Sequence, residues 1–344
     1  MKAIAAILVE SKKPLVLDEI EIPALRFGQV LVKVICTGIC GAQINEIDAV
    51  KGPDKFLPHL LGHEATATVV DCGEGVTTVK PGDRVAMHWR KGSGIHAPTP
   101  KYQSPVGLVN SGWVTTFNEM AIVSENRVTT VPSDFDPEAG ALMGCAVTTA
   151  FGVINNDARV RVGESVVVFG AGGVGLSVVQ AAAMVSAHPI VAIDLFDTKL
   201  ELARTLGATH IINSKKQDPA PEILKIVGRA GADVVVDVTG NARVIETAYE
   251  VTQPQGRTIL VGVPREKVTI YTLPLHHDKI LRGSEGGQTR PEIDIPNYVR
   301  LCQAGKLNLK QIITNHYPFE KINEALADIR AGRVAGRCIV QMKA

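Results

Sequence analysis

Long apolar runs, net charge and paired cysteines are all in short supply in this chain of 344 residues. No apolar stretch approaches the length of a membrane span, so a membrane-embedded protein is not expected. The N-terminal run Ala3 to Val9 ends after seven residues at Glu10. That is too short for a signal h-region with its cleavage site and reads as a first strand, so a cytoplasmic protein is expected. Lys and Arg total 36 against 35 Asp and Glu, a formal charge of +1. No basic cluster interleaved with aromatics stands out, and neither nucleic acid nor an anionic membrane is an expected partner. Six cysteines, at 36, 40, 72, 145, 302 and 338, include no Cys-x-x-Cys pair. Scattered in this way, without a secretory signal, they read as reduced thiols or metal ligands rather than disulfides.

The rest of the composition, 45% hydrophobic and 21% charged, can bury substantial cores, and the length suits two domains. Up to about residue 146 the chain reads as short strands between glycine and proline turns. Gly28 to Val34 is a turn feeding a strand, Ala65 to Val70 a second strand, and Pro81-Gly82-Asp83 a tight turn before Arg84 to Met87. That rhythm predicts a small barrel-like β domain. From 147 the rhythm changes to apolar runs (165–169, 189–193, 234–238, 258–263) separated by helical segments, the pattern of a parallel sheet covered on both faces. Val174 to Val185 and Asp197 to Leu206 are the clearest helices, the second closed by Gly207. A helix over Tyr298 to Ala304 and a strand over Arg337 to Met342 follow. The expected fold is therefore α/β: a β domain formed by 1–146 and 287–344, with a doubly wound domain, 147–286, inserted in it.

Gly170-Ala171-Gly172-Gly173-Val174-Gly175 has the G-x-G-x-x-G form, and its context is the informative part. A strand precedes it, a helix follows it, and Asp194 ends the next strand 19 positions after Gly175, near the roughly 20 expected of a dinucleotide site. Gly170 permits the turn, Gly172 the approach of a pyrophosphate, and Gly175 tight packing of helix on strand. A carboxylate at 194 accepts hydrogen bonds from an adenosine ribose and repels a 2′-phosphate. No arginine follows closely to offset that, so NAD is the expected cofactor.

Cys40, His63, Glu64 and Cys145 carry the thiol, imidazole and carboxylate groups that bind zinc. Each alone is ambiguous. In order along the chain, however, Thr37-Gly38-Ile39-Cys40, Leu61-Gly62-His63-Glu64-Ala65, Val79 to Val85 and Gly144 to Ala150 precede the glycine-rich turn. Together they closely resemble the zinc-dependent medium-chain alcohol dehydrogenases, over nearly the whole chain. The resemblance implies a GroES-like catalytic domain and a Rossmann nucleotide-binding domain. It also implies an NAD-linked exchange of hydride between an alcohol and its aldehyde or ketone. Cys40, His63 and Cys145 would bind the zinc, with Glu64 as an occasional ligand. Thr149 would lie near the nicotinamide, and Lys199 would share the adenosine ribose with Asp194. Arg337 would contact the cofactor phosphates, Val261 would line the cofactor site, and Trp89 would wall the substrate pocket. The family's usual assembly implies a homodimer or homotetramer.

Departures from the family pattern carry their own expectations. Residues 88–123 contain no cysteine, so one catalytic zinc and no structural zinc is expected. The loop Lys91 to Ser111 replaces the lobe that would hold a second ion. Ala42 stands where the family has a Ser or Thr that relays the alcohol proton towards the cofactor ribose, and a methyl group cannot do this. Gln43 and Asn45 replace the next polar groups in line. Proton exit must then use water, Glu64, His59 or a substrate hydroxyl. Gly41 stands in place of a phosphate-binding arginine found in some members. His88, Gln43, Asn45 and Glu285 suggest a polar alcohol, polyol or sugar derivative, whereas Trp89 suits a flat apolar one. Two other readings stay open: a zinc-free quinone or enone reductase, and a non-catalytic NAD-binding protein.

Overall fold

Short segments of alternating burial, broken by glycine and proline, build the first unit. Its strands are β1 (Lys2–Leu8), β2 (Val16–Glu21), β3 (Gln29–Gly38), β4 (His59–Leu60), β5 (Glu64–Cys72), β6 (Arg84–His88), β7 (Lys101–Ser104), β8 (Gly107–Asn110), β9 (Met120–Ser124) and β10 (Val128–Thr130). Helix α1 (Gly41–Ile47) follows β3, and α2 (Pro137–Leu142) follows β10. Strands β1, β2, β7, β8 and β4 close a barrel, which leaves no unpaired edge. Its interior is packed by Ile7, Ile20, Tyr102 and Val109. The segment 91–111 is not the plain loop that its Gly, Pro and Ser content suggests, because it contains the β7–β8 hairpin that completes the barrel. Tyr102 anchors that hairpin. It is fully buried and its hydroxyl accepts a hydrogen bond from the Ile122 amide at 2.9 Å. Burial of such a ring is worth about 1.5–3 kcal/mol.

The second unit has the longer rhythm. Helix α3 (Ala146–Gly152) leads to β11 (Val166–Phe169), α4 (Gly173–Met184), β12 (Ile190–Asp194), α5 (Asp197–Thr205), β13 (His210–Asn213), α6 (Pro219–Val227), β14 (Ala232–Asp237), α7 (Ala242–Glu250), β15 (Thr252–Leu260) and β16 (Ile280–Gly283). The six strands are all parallel, in the order β13-β12-β11-β14-β15-β16. Counted from β11 this is 3-2-1-4-5-6, the doubly wound arrangement that binds dinucleotides where the order reverses. Val167, Ile193, Val235, Ile223 and Ala248 form its core.

The chain then returns to the first unit through α8 (Pro291–Gln303), β17 (Ile313–Pro318), α9 (Ile322–Arg330) and β18 (Arg337–Gln341). Helix α8 starts well before Tyr298, because Pro291 at its first position and Glu292 and Asp294 in its first turn are good helix openers. Strand β18 pairs with the end of β3, extending a seven-stranded sheet in which β3 also pairs with β5 and β9. This computed structural model describes residues 1–343. It divides into Met1–Cys145 with the chain from Arg290 onward, and Ala146–Thr289. Among the described residues no helix is long and apolar enough to cross a membrane.

Candidate active site

Three elements of the first unit each deliver one donor to the same place. Cys40 ends the segment after β3 and stands at the N-cap of α1. His63 sits in the turn between β4 and β5, next to Gly62 with its left-handed φ of 90°. Cys145 follows α2. Their ligand atoms all lie within 4.8 Å of one another, the one such His/Cys/Asp/Glu cluster among the described residues. The His63 Nε2 atom is buried and has no hydrogen-bond partner, while Nδ1 is 2.8 Å from the Gln43 side-chain amide. Cys40 is held well below the ordinary thiol range because Cys145 hydrogen-bonds to it, with His63 adding to the effect against the cost of burial. Two clustered thiols, Cys40 the more acidic, and a buried imidazole nitrogen make a donor set that fits zinc and suits magnesium or calcium poorly.

Glu64 stands outside this trio. Its carboxylate is fully buried and forms an ion pair with Arg337, itself buried at the start of β18. Glu64 begins β5, and the end of β3 lies between β5 and β18. Trp89, just beyond β6, is tied to the metal-ligand turn. Its amide donates to the Gly144 carbonyl at 3.4 Å, its carbonyl accepts from the Arg127 guanidinium, and its indole hydrogen-bonds Cys145. Arg127 is an anchor that the sequence reading missed. Ala42 is exposed on α1 and offers no hydroxyl.

Two residues read as substrate-facing polar groups are satisfied inside the protein. His88 is 1% exposed, with Nδ1 at 2.6 Å from the Arg90 carbonyl and Nε2 at 2.9 Å from the Thr129 hydroxyl. Burial pushes its pKa down to about 4, so the ring is neutral. Gln43 is buried between Gly62 and His63, where its carbonyl oxygen accepts from the Gly62 amide. His59, weighed as a proton exit, is also buried. Its Nε2 is 2.7 Å from Asp54 and its Nδ1 2.9 Å from the Leu60 carbonyl.

In the second unit, the turn after β11 explains its own glycines. Gly170 has φ 96°, and a Cβ on Gly175 would lie 1.8 Å from the Gly170 carbonyl oxygen. Gly172 is the N-cap of α4, without a side-chain cap, and a Cβ there would meet nothing within 4 Å. Gly173 and Val174 open the helix. A helix start without a side-chain cap, with open space at Gly172, fits the pyrophosphate of NAD. Asp194 ends β12 and accepts from the Ala171 amide at 2.7 Å and the Leu195 amide at 2.7 Å. Beside it two ammonium groups approach the Phe196 ring, Lys199 at 5.2 Å and Lys215 at 4.1 Å from its centre. Lys215 was not foreseen, although it follows β13, the neighbour of β12. Thr149 is buried on α3, and the Val261 amide after β15 donates to the Asp237 carbonyl at 2.8 Å.

A doubly wound sheet with an open glycine-rich turn, and in the same chain a β unit carrying clustered thiols and an imidazole, define a metal-assisted, nicotinamide-dependent dehydrogenase. Comparison with known proteins narrows that class. Residues 26–133 match the alcohol dehydrogenase GroES-like domain, and residues 173–304 match the zinc-binding dehydrogenase domain. An S-(hydroxymethyl)glutathione dehydrogenase of Photobacterium damsela subsp. piscicida is 32% identical, covering 97% of this chain and 98% of its own. Alcohol dehydrogenase 1 of Trifolium repens is 29% identical over 100% of this chain and 98% of its own. The crystal structure of benzyl alcohol dehydrogenase from Acinetobacter calcoaceticus superposes with a TM-score of 0.91 at 29% identity, each chain covered in full.

The chain belongs to the zinc-dependent medium-chain alcohol dehydrogenases. It is an oxidoreductase that interconverts an alcohol with its aldehyde or ketone by hydride transfer, using NAD(H) and zinc. The zinc-free reductase and the non-catalytic NAD-binding protein are not favoured.

Proposed function

We propose that the protein oxidises a flat, apolar primary alcohol of the arylmethyl type, with one zinc per chain held by Cys40, His63 and Cys145. The observation that carries this reading is the convergence of those three donors within 4.8 Å beside Trp89. Zinc bound there supplies a Lewis acid for the substrate oxygen. Trp89, clamped at its carbonyl by Arg127, offers an aromatic wall to an aryl group. The case for a polyol or sugar rested partly on His88 and Gln43, whose polar atoms are engaged internally. The benzyl alcohol dehydrogenase likeness supports the apolar choice. The absence of cysteine from 88–123 supports a single metal without a structural ion. An NAD-reduction screen over benzyl-type alcohols, polyols, sugar alcohols and S-(hydroxymethyl)glutathione, with metal quantification, tests both halves. A preference for polyols, or two zinc equivalents per chain, would overturn the corresponding half.

Around the cofactor, the amides of Gly172 to Gly175 would hold the pyrophosphate. Asp194 and Lys199 would hold the ribose, with Lys215 beside them, while Val261 would line the site and Thr149 would lie against the nicotinamide. Arg337 would reach the phosphates from its place beside Glu64. That pairing keeps Glu64 from serving as a standing zinc ligand. Asp194→Ser is expected to raise kcat/KM for NADP relative to NAD roughly 10- to 100-fold, matching the ~1.5–3 kcal/mol of a hydrogen bond to a charged group. The two lysines near the Phe196 ring remain to meet a 2′-phosphate. Coenzyme kinetics with an unchanged ratio would count against Asp194 as the discriminator.

Alcohol oxidation releases a proton, and the chain has no hydroxyl at 42 to carry it. With Glu64 paired and both His59 nitrogens facing acceptors, water reaching the exposed Ala42 side is the proposed exit. The rate should then climb with pH across neutrality. Ala42→Ser should raise it by up to roughly 10²-fold, the low end for a positioned proton-transfer group, and should flatten that climb. An unchanged pH–rate profile in the serine variant would remove proton exit as the limiting step. Assembly as a homodimer is proposed through β16, the edge strand of the second unit's sheet, where Ile280 is exposed. Sedimentation mass checks it.

A further inference from the structure

Gln43 faces two partners at once, and the demands of those partners change with the state of His63. Its carbonyl oxygen takes the Gly62 amide hydrogen, and its NH2 group lies 2.8 Å from His63 Nδ1. The side chain is only 5% exposed, so water does not readily substitute for either contact. A backbone N–H is always a donor, so the amide oxygen is committed to Gly62. The NH2 group can then be satisfied only if His63 Nδ1 is an acceptor, which in a neutral imidazole puts the hydrogen on Nε2. Nε2 is the nitrogen that is buried and unpartnered beside Cys40 and Cys145. To donate to a metal it must lose that hydrogen to Nδ1. The amide would then present N–H to N–H. Turning it over serves Nδ1 but sets the NH2 group against Gly62. A carboxamide has one acceptor atom for two donors.

We infer that Gln43 is a positioning residue that opposes metal loading, holding the Gly62–His63 turn in the arrangement suited to the metal-free site. Loading requires the amide to turn over and the Gly62 N–H to lose its acceptor. A glutamate of the same shape has an oxygen at each end and accepts from both donors together. This inference rests on the assignment of Cys40, His63 and Cys145 as zinc ligands.

The test uses the full chain stripped of metal and titrated with zinc against a chromophoric chelator, at a pH where a carboxylate is ionised. Gln43→Glu is expected to lower the zinc Kd by about 10- to 100-fold, the usual range for partners of a ligating histidine. Loss of a merely structural contact would weaken binding, so a gain in affinity separates the two roles. In the unmodified protein, amide exchange followed by NMR should show Gly62 losing protection on zinc addition. In the Gln43→Glu variant it should stay protected. A Kd that is unchanged or weaker in the variant, or a Gly62 amide indifferent to zinc, overturns the inference. If Cys40→Ala binds zinc as tightly as the unmodified protein, the ligand assignment itself fails and takes the inference with it.

Discussion

Alanine at Cys40, His63 or Cys145 should give a folded protein that retains no zinc after dialysis and oxidises alcohol at least ~10³-fold more slowly. The estimate follows from the several kcal/mol of charge stabilisation a Lewis acid supplies, of which ~4 kcal/mol corresponds to about 10³ in rate. Three donors leave no redundancy, because Glu64 is paired with Arg337 and no fourth side chain joins the cluster among the described residues. The fold should tolerate each change. Cys40 and His63 are half-buried in turns rather than packed in a core, and Cys145 to Ala removes one sulfur atom. Circular dichroism and metal content therefore have to be read together. A variant that is native by the first measure, holds a full zinc equivalent and keeps its rate would remove that residue from the ligand set. NAD binding by the same variants should persist, since the glycine-rich turn belongs to the other unit.

The parts of this molecule that were legible in the sequence are those whose causes are local. The turn from Gly170 to Gly175 announces itself because tight backbone approach demands glycine within six residues, with Asp194 one strand away. The parallel sheet was readable because strands such as Val166–Phe169 are buried on both faces and so lack polar alternation. The β7–β8 hairpin was hidden, because its four-residue strands carry little apolar patterning and depend on partners in β2 and β4. Cys40, His63 and Cys145 came forward through resemblance to a family, since no local rule joins residues so far apart. Lys215 reaches Phe196 only through the pairing of β12 with β13. His88 and Gln43 suggested a polar substrate by residue type alone, and only their neighbours show that those polar atoms are occupied. The Glu64–Arg337 contact joins opposite ends of the chain and has no sequence signal at all.

That contact sets the largest expected effect on stability. The carboxylate of Glu64 and the guanidinium of Arg337 have side-chain exposures of 0% and 5%, meeting against Gly38, where even a Cβ would lie 2.8 Å from a Glu64 oxygen. Removing one partner strands a charge that water cannot reach, at a cost of about 3–5 kcal/mol. Arg337→Met should therefore shift the urea midpoint of the metal-free protein sharply down, and Glu64→Met should do the same. The pair of substitutions together should recover most of the loss, because two apolar side chains of similar length strand no charge. Working with metal-free protein keeps zinc binding from masking the comparison. If both single variants unfold within about 1 kcal/mol of the parent, the pair is solvated in solution and its burial carries no such weight. The cofactor supplies a separate readout: with Arg337 in its proposed role towards the cofactor phosphates, Arg337→Met should raise KM for NAD, and Glu64→Met should leave it closer to the parent value. A cycle in which stability recovers in the double variant while KM for NAD stays high would assign Arg337 two separable tasks, one towards Glu64 and one towards the dinucleotide.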